Sequence, residues 1–485
     1  MTGEEEQALR QEQSRLQEQV RTQQELIERQ AQQIAVLSAQ VADLQARLSK
    51  DSHNSHLPPS SDRFGRQPKS LRKKSGKKAG GQPGHAGQML KLVEQPDTVL
   101  VHRVESCPTC QQDLRTIEAL QVERRQVVEL PRKRVVVIEH QAERKWCPHC
   151  QEVILAPFPA PVTAPVQYGP ALGALAVYLV QQQLLPYQRV SELFFDLFGQ
   201  PISAATIMSL VERCAGQLAP IEQQIKATLS QAEVLHQDET GLSVGGKRHW
   251  VHVSATPILT HYTVHPKRGK EALDAIGILP SFGGVSVHDG WRSYWAYPCQ
   301  HATCNVHLLR DLTFLIEEHQ QEWAQQMQDL LLSMKAAVEQ ARAEGRPALH
   351  PLEVADWQAQ YHAVLLQGEA EQPRELSPPP RAKGRRKQSA ARNLLDRLSK
   401  EQDAVLAFSH NLAVPFDNNQ AERDLRMVKV QQKISGCFRS IAGAQAFCRI
   451  RGYLSTLRKQ GRALLTALEQ VLLGHPVLPD FILPE

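Results

Sequence analysis

From Leu9 to Leu48, apolar and amide side chains recur at alternating steps of three and four residues, through Gln13, Leu16, Val20, Gln23, Ile27, Gln30, Ile34, Leu37, Val41 and Leu44. A seam sustained over several heptads and flanked by Glu, Gln and Arg predicts a coiled coil over 1–49, and with it self-association to at least a dimer. A lone amphipathic helix covering its own protein would carry the same stripe. Over 50–95 the pattern gives way to Ser, Asn, Pro, Gly, Lys and Arg, where no core can form. The region 96–160 is β-rich, for example from Arg134 to His140. Helical periodicity then occupies 166–231. There, Leu193 to Phe198, the turn Gly199-Gln200-Pro201 and Ser203 as N-cap resemble the spacing of a helix-turn-helix, but many helical hairpins have Gly-Pro turns and touch no DNA, and that plainer reading is the favoured one.

At Val234 the period falls to two. Val234 to Val244, Arg248 to Ala255 and Leu259 to His265, the first two joined at Gly245-Gly246, predict three antiparallel strands. A helix from Gly269 to Leu279 follows, then a strand from Gly284 to His288 that ends at Asp289-Gly290. This order is that of a ribonuclease H-like domain, in which the first and fourth strands can lie side by side. Asp238 and Asp289 would then meet, and two like charges tolerate proximity best when divalent cations bridge them. Two Mg²⁺ (or Mn²⁺) ions so held can activate a nucleophile and stabilise a leaving oxygen in phosphoryl displacement. A third carboxylate comes from Glu422, on a helix capped by Asn418 or Asn419, with Arg426, Lys429 and Lys433 on the same face and Asp424 pointing away. Taken singly, each segment also reads as a strand-edge Asp, an Asp-Gly turn or a solvated helix. Helix formers between Asp289 and Glu422 predict an insertion over about 308–410, and a short helical domain is expected over 436–485.

The chain has 485 residues, 41% of them hydrophobic, enough for several domains. Its longest apolar run, Ala171 to Val180, falls short of the ~20 residues a membrane span needs, and the polar N-terminus has no secretory core, so a cytoplasmic protein is expected. The net charge of +5 is modest, but the cations cluster. Lys73, Lys74, Lys77 and Lys78 form one basic tether and Arg385 and Arg386 belong to another, both suited to a phosphate backbone or to plain solubility. Of nine cysteines, Cys107, Cys110, Cys147 and Cys150 form two CxxC pairs able to close one structural zinc site of the ribbon kind. A redox pair or two disulfides are the other readings.

HQDET around Asp238, HDGWRSY around Asp289, DNNQAERDLR around Glu422, DSHNSHLPPSSD from Asp51 and GKKAGGQPGH from Gly76 together resemble the transposases of the insertion sequence 66 family. The resemblance implies a DDE-type DNA transposase in which Asp238, Asp289 and Glu422 are the acidic triad. It implies a multidomain α/β chain: coiled coil, basic tether, zinc ribbon, helical DNA-binding segment, a ribonuclease H-like core over 232–435 with its helical insertion, and a C-terminal domain. Its partners would be the double-stranded DNA of element ends and target, with accessory transposition proteins as further candidates. Cys304-Asn305-Val306-His307 is similar to a CxxH element that follows the second aspartate in several transposase groups. It is read as a core-structuring pair, since two ligands do not close a metal site. His53 and His56 depart from the family pattern. The alternative is a catalytically inactive DNA-binding regulator derived from a transposase, against which the intact triad speaks; a plain ribonuclease H-like nuclease would need neither the zipper, the zinc module nor the two basic tethers.

Overall fold

A computed structural model describes residues 3–55, 92–128, 135–373 and 388–482. It divides into two compact units: Met1–Lys69, Ala164–Ser191 and Ile202–Glu485 form the larger, and Ser70–Thr163 with Glu192–Pro201 the smaller. α1 (Gly3–Leu48) is one unbroken helix with no Gly or Pro in its interior. Leu16, Val20, Ile27, Ile34, Leu37, Val41 and Leu44 along its seam are exposed.

In the smaller unit, β1 (Arg144–Cys147) and β2 (Glu152–Leu155) pair antiparallel with Cys147 opposite Glu152. The strand expected from Arg134 to His140 does not form among the described residues, where 135–143 carries no ladder. β-branched side chains favour a strand only where a neighbouring strand packs beside them.

Helices α2 (Pro170–Gln181), α3 (Tyr187–Phe198), α4 (Ala204–Gln217) and α5 (Ala219–Leu229) follow. Gly199, at φ +65°, ends α3. Ser203 caps α4, its Oγ accepting from the Thr206 N–H at 3.0 Å.

Then come β3 (Val234–Val244), β4 (Lys247–Ala255), β5 (Thr260–His265), α6 (Lys270–Ile276), β6 (Val285–His288) and β7 (Gln300–Thr303). Gly245 and Gly246, at φ +55° and +76°, make the tight turn after β3. The sheet order is β5-β4-β3-β6-β7, antiparallel from β5 to β3 and parallel from β3 to β7. The first and fourth strands are neighbours, as the strand pattern predicted. Their register sets Val234 opposite Val285 and His236 opposite Val287. Carried two residues further, it brings Asp238 level with Asp289.

Among the described residues the insertion comprises five helices: α7 (Asn305–His319), α8 (Glu322–Ala343), α9 (Pro351–Glu371), α10 (Ala390–Lys400) and α11 (Gln402–His410). Leu312, Trp323, Met327, Tyr361 and Leu395 bury against one another and share a core with Val287 and Ala302 of the sheet. Each such side chain contributes about 1.5–3 kcal/mol by leaving water.

α12 (Asn419–Ser435) and α13 (Ile441–Lys459) cover the antiparallel half, placing Ala421, Leu425, Val428 and Phe447 on Leu242, Val251, Val253 and Tyr262. Gly452 permits the close approach of α13, since a Cβ there would meet the Thr260 carbonyl at 3.2 Å. α14 (Leu464–Leu472) packs on α2. The region 436–485 falls within the larger unit rather than forming a domain of its own, with α13 packed on β5 and against α4, α5 and α2.

Residues 51–55, expected to begin a structureless tether, fold instead. Asp51 Oδ1 accepts from the N–H groups of His53 and Asn54 at 2.8 and 3.3 Å, while Asn54 Oδ1 accepts from Asp51 N at 2.9 Å. Asn54 and Ser55 are buried, and His53 Nε2 lies 3.4 Å from Glu317 on α7.

Candidate active site

Asp238 is positioned by the segment before it. Asn418, expected to cap α12, makes no side-chain cap. Its amide instead donates to Gln237 O at 2.7 Å, and its Oδ1 faces His236 Nδ1 at 2.9 Å, tying the start of α12 to β3. Asp238 then takes the N–H of Glu239 at 2.8 Å. Burial pushes its carboxyl well above the usual range, helped by the charges of Glu239 and Asp289 and, more weakly, of Glu422.

Glu239 points elsewhere. Its carboxylate is 1% exposed, pairs with Arg268 at 2.7 Å and accepts the Tyr294 hydroxyl. The Arg268 guanidinium in turn lies 3.8 Å from the ring centre of Trp291 and 4.9 Å from that of Trp250, with Arg248 also over Trp250. The sequence reading missed this cation–aromatic stack, whose signals were the Trp of HDGWRSY and the KRHW run of β4.

Asp289 is both a turn residue and a site candidate. Its Oδ1 accepts the Trp291 N–H at 2.8 Å, and Gly290 adopts φ +87°. A pair of imidazoles braces the turn. His288 Nδ1 takes the Gly290 N–H at 3.0 Å, His288 Nε2 meets His301 Nδ1 at 3.0 Å, and His301 Nε2 reaches Tyr297 O at 3.1 Å. That order suits two neutral rings, each donating through Nε2. Burial drives His288 down to about 3 and lowers His301 as well.

Glu422 stands in the first turn of α12, half-buried, and its Oε1 is buried without a hydrogen bond. Burial raises its carboxyl; Arg310 and Arg426 oppose the shift, while Asp417 and Asp289 add to it. Asp238, Asp289 and Glu422 therefore share one field. Their oxygens do not, however, lie within mutual ligand reach. Among the described residues, the group of three metal-ligating side chains whose donor atoms all lie within 4.8 Å of one another is Cys304, His307 and Glu422.

Glu422 thus stands beside the Cys304–His307 pair that the CxxH spacing brings together. Cys304 is the N-cap residue of α7, its buried Sγ accepting from Asn418 N at 3.2 Å. Burial pushes its thiol up to about 12, with Glu422 adding to the shift. His307 follows one turn on, Nε2 at 3.8 Å from Glu422 Oε1. The spacing CxxH was legible, but the third member arrives from a helix far along the chain.

The proposed DNA contacts divide. Arg426 is exposed one turn beyond Glu422. Lys429 Nζ donates to Gly241 O at 3.1 Å, and burial beside Arg248 lowers its pKa. Lys73, Lys74, Lys77, Lys78, Arg385 and Arg386 lie outside the described residues.

Asp424 is far from inert. It pairs with Lys459 on α13 at 2.9 Å, both side chains nearly buried, and reaches Thr260 and Ser455.

In the smaller unit the two CxxC turns are built alike. Gln111 and Gln151, each four residues past the first cysteine, take φ +61° and +57° and donate to the carbonyls of Cys107 and Cys147 at 2.8 and 2.9 Å. Cys147 and Cys150 Sγ lie 3.6 Å apart. Backbone N–H groups aimed at the first thiol of each pair lower it, Cys107 to about 7. The four thiols are not gathered at one point among the described residues.

Three protein-family models match the chain. The transposase IS66 family covers residues 165–446, the zinc-finger binding domain of transposase IS66 covers 105–151, and a family of unknown function covers 4–91. The uncharacterized protein y4hP of Sinorhizobium fredii (strain NBRC 101917 / NGR234) is 26% identical over 204 residues, 38% of this chain and 36% of that relative's length. Among the described residues, no helix is long and apolar enough to cross a membrane. With the family model spanning more than half of its length, and with all three acidic residues inside the matched region, the chain belongs to the IS66 family of transposases.

Proposed function

We propose that this protein cuts the ends of an insertion sequence and joins the freed 3′-hydroxyls to target DNA, using Asp238, Asp289 and Glu422 as its acidic triad. The observation that supports the reading is the parallel pairing of β3 with β6, His236 opposite Val287, whose register if continued would set Asp238 level with Asp289, together with α12, whose Glu422 feels the same field. Three antiparallel strands, a helix and two parallel strands in the order β5-β4-β3-β6-β7 are what a ribonuclease H-like core requires.

The donor set fits Mg²⁺ or Mn²⁺. Asp238, Asp289 and Glu422 offer carboxylate oxygens only, one of them buried without a hydrogen bond, and their charges raise the carboxyls of Asp238 and Glu422, a donor chemistry that suits hard divalent cations, two per site. When bound, such ions lower the pKa of an attacking water or hydroxyl and neutralise charge on the leaving oxygen.

The chain's own residues do the rest. The Glu239 N–H and the Trp291 N–H orient the two aspartates, the imidazole pair keeps the Asp289 turn closed, and Arg426 and Lys429 offer charge to phosphates. Lys73, Lys74, Lys77, Lys78, Arg385 and Arg386 add sequence-independent affinity. Cys107, Cys110, Cys147 and Cys150 would hold one structural zinc, and the exposed seam of α1 would pair with a second copy of itself as a coiled coil.

Cleavage of a labelled element end in Mg²⁺ or Mn²⁺, measured beside gel-shift affinity, tests the reading. Glu422→Gln keeps shape and loses charge, so cleavage and joining should fall by orders of magnitude while end binding survives. Arg426→Ala should weaken binding and reduce the salt slope by about one. Normal cleavage by Glu422→Gln would remove it from the triad. A wild-type chain that binds ends yet never cuts them would make the protein a regulator instead.

A further inference from the structure

We propose that Cys304, His307 and Glu422 Oε1 form a second transition-metal site for a thiophilic divalent ion of the Zn²⁺ class, separate from the zinc-finger cysteines, and that Glu422 joins this site to the acidic one. The donors are a thiol, an imidazole and a carboxylate, all within 4.8 Å of one another. Sulfur with nitrogen selects Zn²⁺ over Mg²⁺, which prefers oxygen alone. Zinc–ligand bonds of ~2.0–2.3 Å require the donors to close by only about 1 Å from this arrangement.

The frame around them is tied by hydrogen bonds. Cys304 Sγ is fixed at the N-cap of α7, between the His288 carbonyl that receives its N–H at 2.8 Å and the Asn418 N–H that reaches its sulfur at 3.2 Å. His307 projects one helical turn later, and Glu422 Oε1 is buried, 3.8 Å from His307 Nε2, with no hydrogen bond of its own. Binding exchanges the thiol proton for the ion: the S–H bond breaks, a sulfur–metal bond forms and one proton leaves to solvent. Three protein ligands leave a fourth position for water.

The consequence is positional. With Oε1 held by this ion, the Glu422 carboxylate can no longer rotate freely, and its other oxygen remains for the acidic site. Only that consequence rests on the transposase reading; the ion site itself does not.

The test is metal content of reduced, full-length protein after equilibration with Zn²⁺ and gel filtration, for wild type, Cys304→Ser, His307→Ala and Cys107→Ser. We expect Cys304→Ser and His307→Ala each to hold about one zinc fewer per chain than wild type, and Cys107→Ser to lose a different one. Circular dichroism checks the fold, and His307→Ala, at a partly exposed position, guards against misfolding of the buried Cys304→Ser. Cobalt loading adds a second readout: the thiolate charge-transfer band should shrink in Cys304→Ser by the share of a single sulfur. Unchanged zinc content in folded Cys304→Ser and His307→Ala overturns the proposal. If Glu422→Gln still abolishes DNA cutting in that case, the transposase reading stands without it.

Discussion

Asp424→Asn should be among the more damaging single substitutions on α12, although it lies outside the acidic site. The carboxylate is 9% exposed and faces Lys459 at 12%, Oδ2 to Nζ 2.9 Å. It also accepts from Gln420 at 3.0 Å and Ser455 at 3.4 Å, so one group ties α12 to α13 and, through Thr260, to β5. Removing one partner of a buried pair costs about 3–5 kcal/mol because a charge is left uncompensated. Lys459 keeps two carbonyl partners, Thr256 at 2.9 Å and Leu259 at 3.0 Å, which places the cost at the lower end, about 3 kcal/mol. At about 2 °C per kcal/mol for a large unit, the transition should drop by roughly 6 °C. Urea and thermal melts of the full chain measure it, with Glu422→Gln as a comparison that should not destabilise. A loss below about 1 kcal/mol, the value for an exposed ion pair, would refute the burial reasoning.

Three further outcomes are expected. Asp238→Asn should raise the melting temperature of the metal-free protein at neutral pH. A carboxyl whose folded pKa lies above its unfolded value penalises the folded state above the folded pKa and not below the unfolded one, so the gain should fade as pH falls. Mg²⁺ should stabilise wild type more than this variant, as differential scanning fluorimetry would show; equal responses would mean that Asp238 binds no ion. Deleting residues 1–40, which keeps Ala46 and the 51–55 knot in place, should reduce the assembly seen in sedimentation, and an unchanged mass would exclude α1 as the association surface.

Much of the five-stranded sheet was legible because its signals are local. Alternation over Val234 to His265 and the Gly-Gly turn delimited β3, β4 and β5 to within a residue at each end. Parallel pairing of the first and fourth strands follows once a helix intervenes, because a parallel return needs a crossover. Asp424 shows where locality stops. Its position two residues from Glu422 correctly put it on another helix face, but helical phase says nothing about what that face meets. Asn418 behaves in the same way: its residue type suits a cap, yet β3 offers its amide stronger partners.

The linear chain by itself determined the long α1 seam, the paired CxxC turns, the strand alternation and the family motifs, since each depends on spacing between residues close in sequence. Only the tertiary structure decided that residues 51–55 knot against α7, that α13 locks α12 through Lys459 and Asp424, and that Glu422 stands closer to Cys304 and His307 than to a shared point with the two aspartates. Those arrangements join segments separated by long stretches of chain, and burial, which no local pattern encodes, sets which donor finds which acceptor.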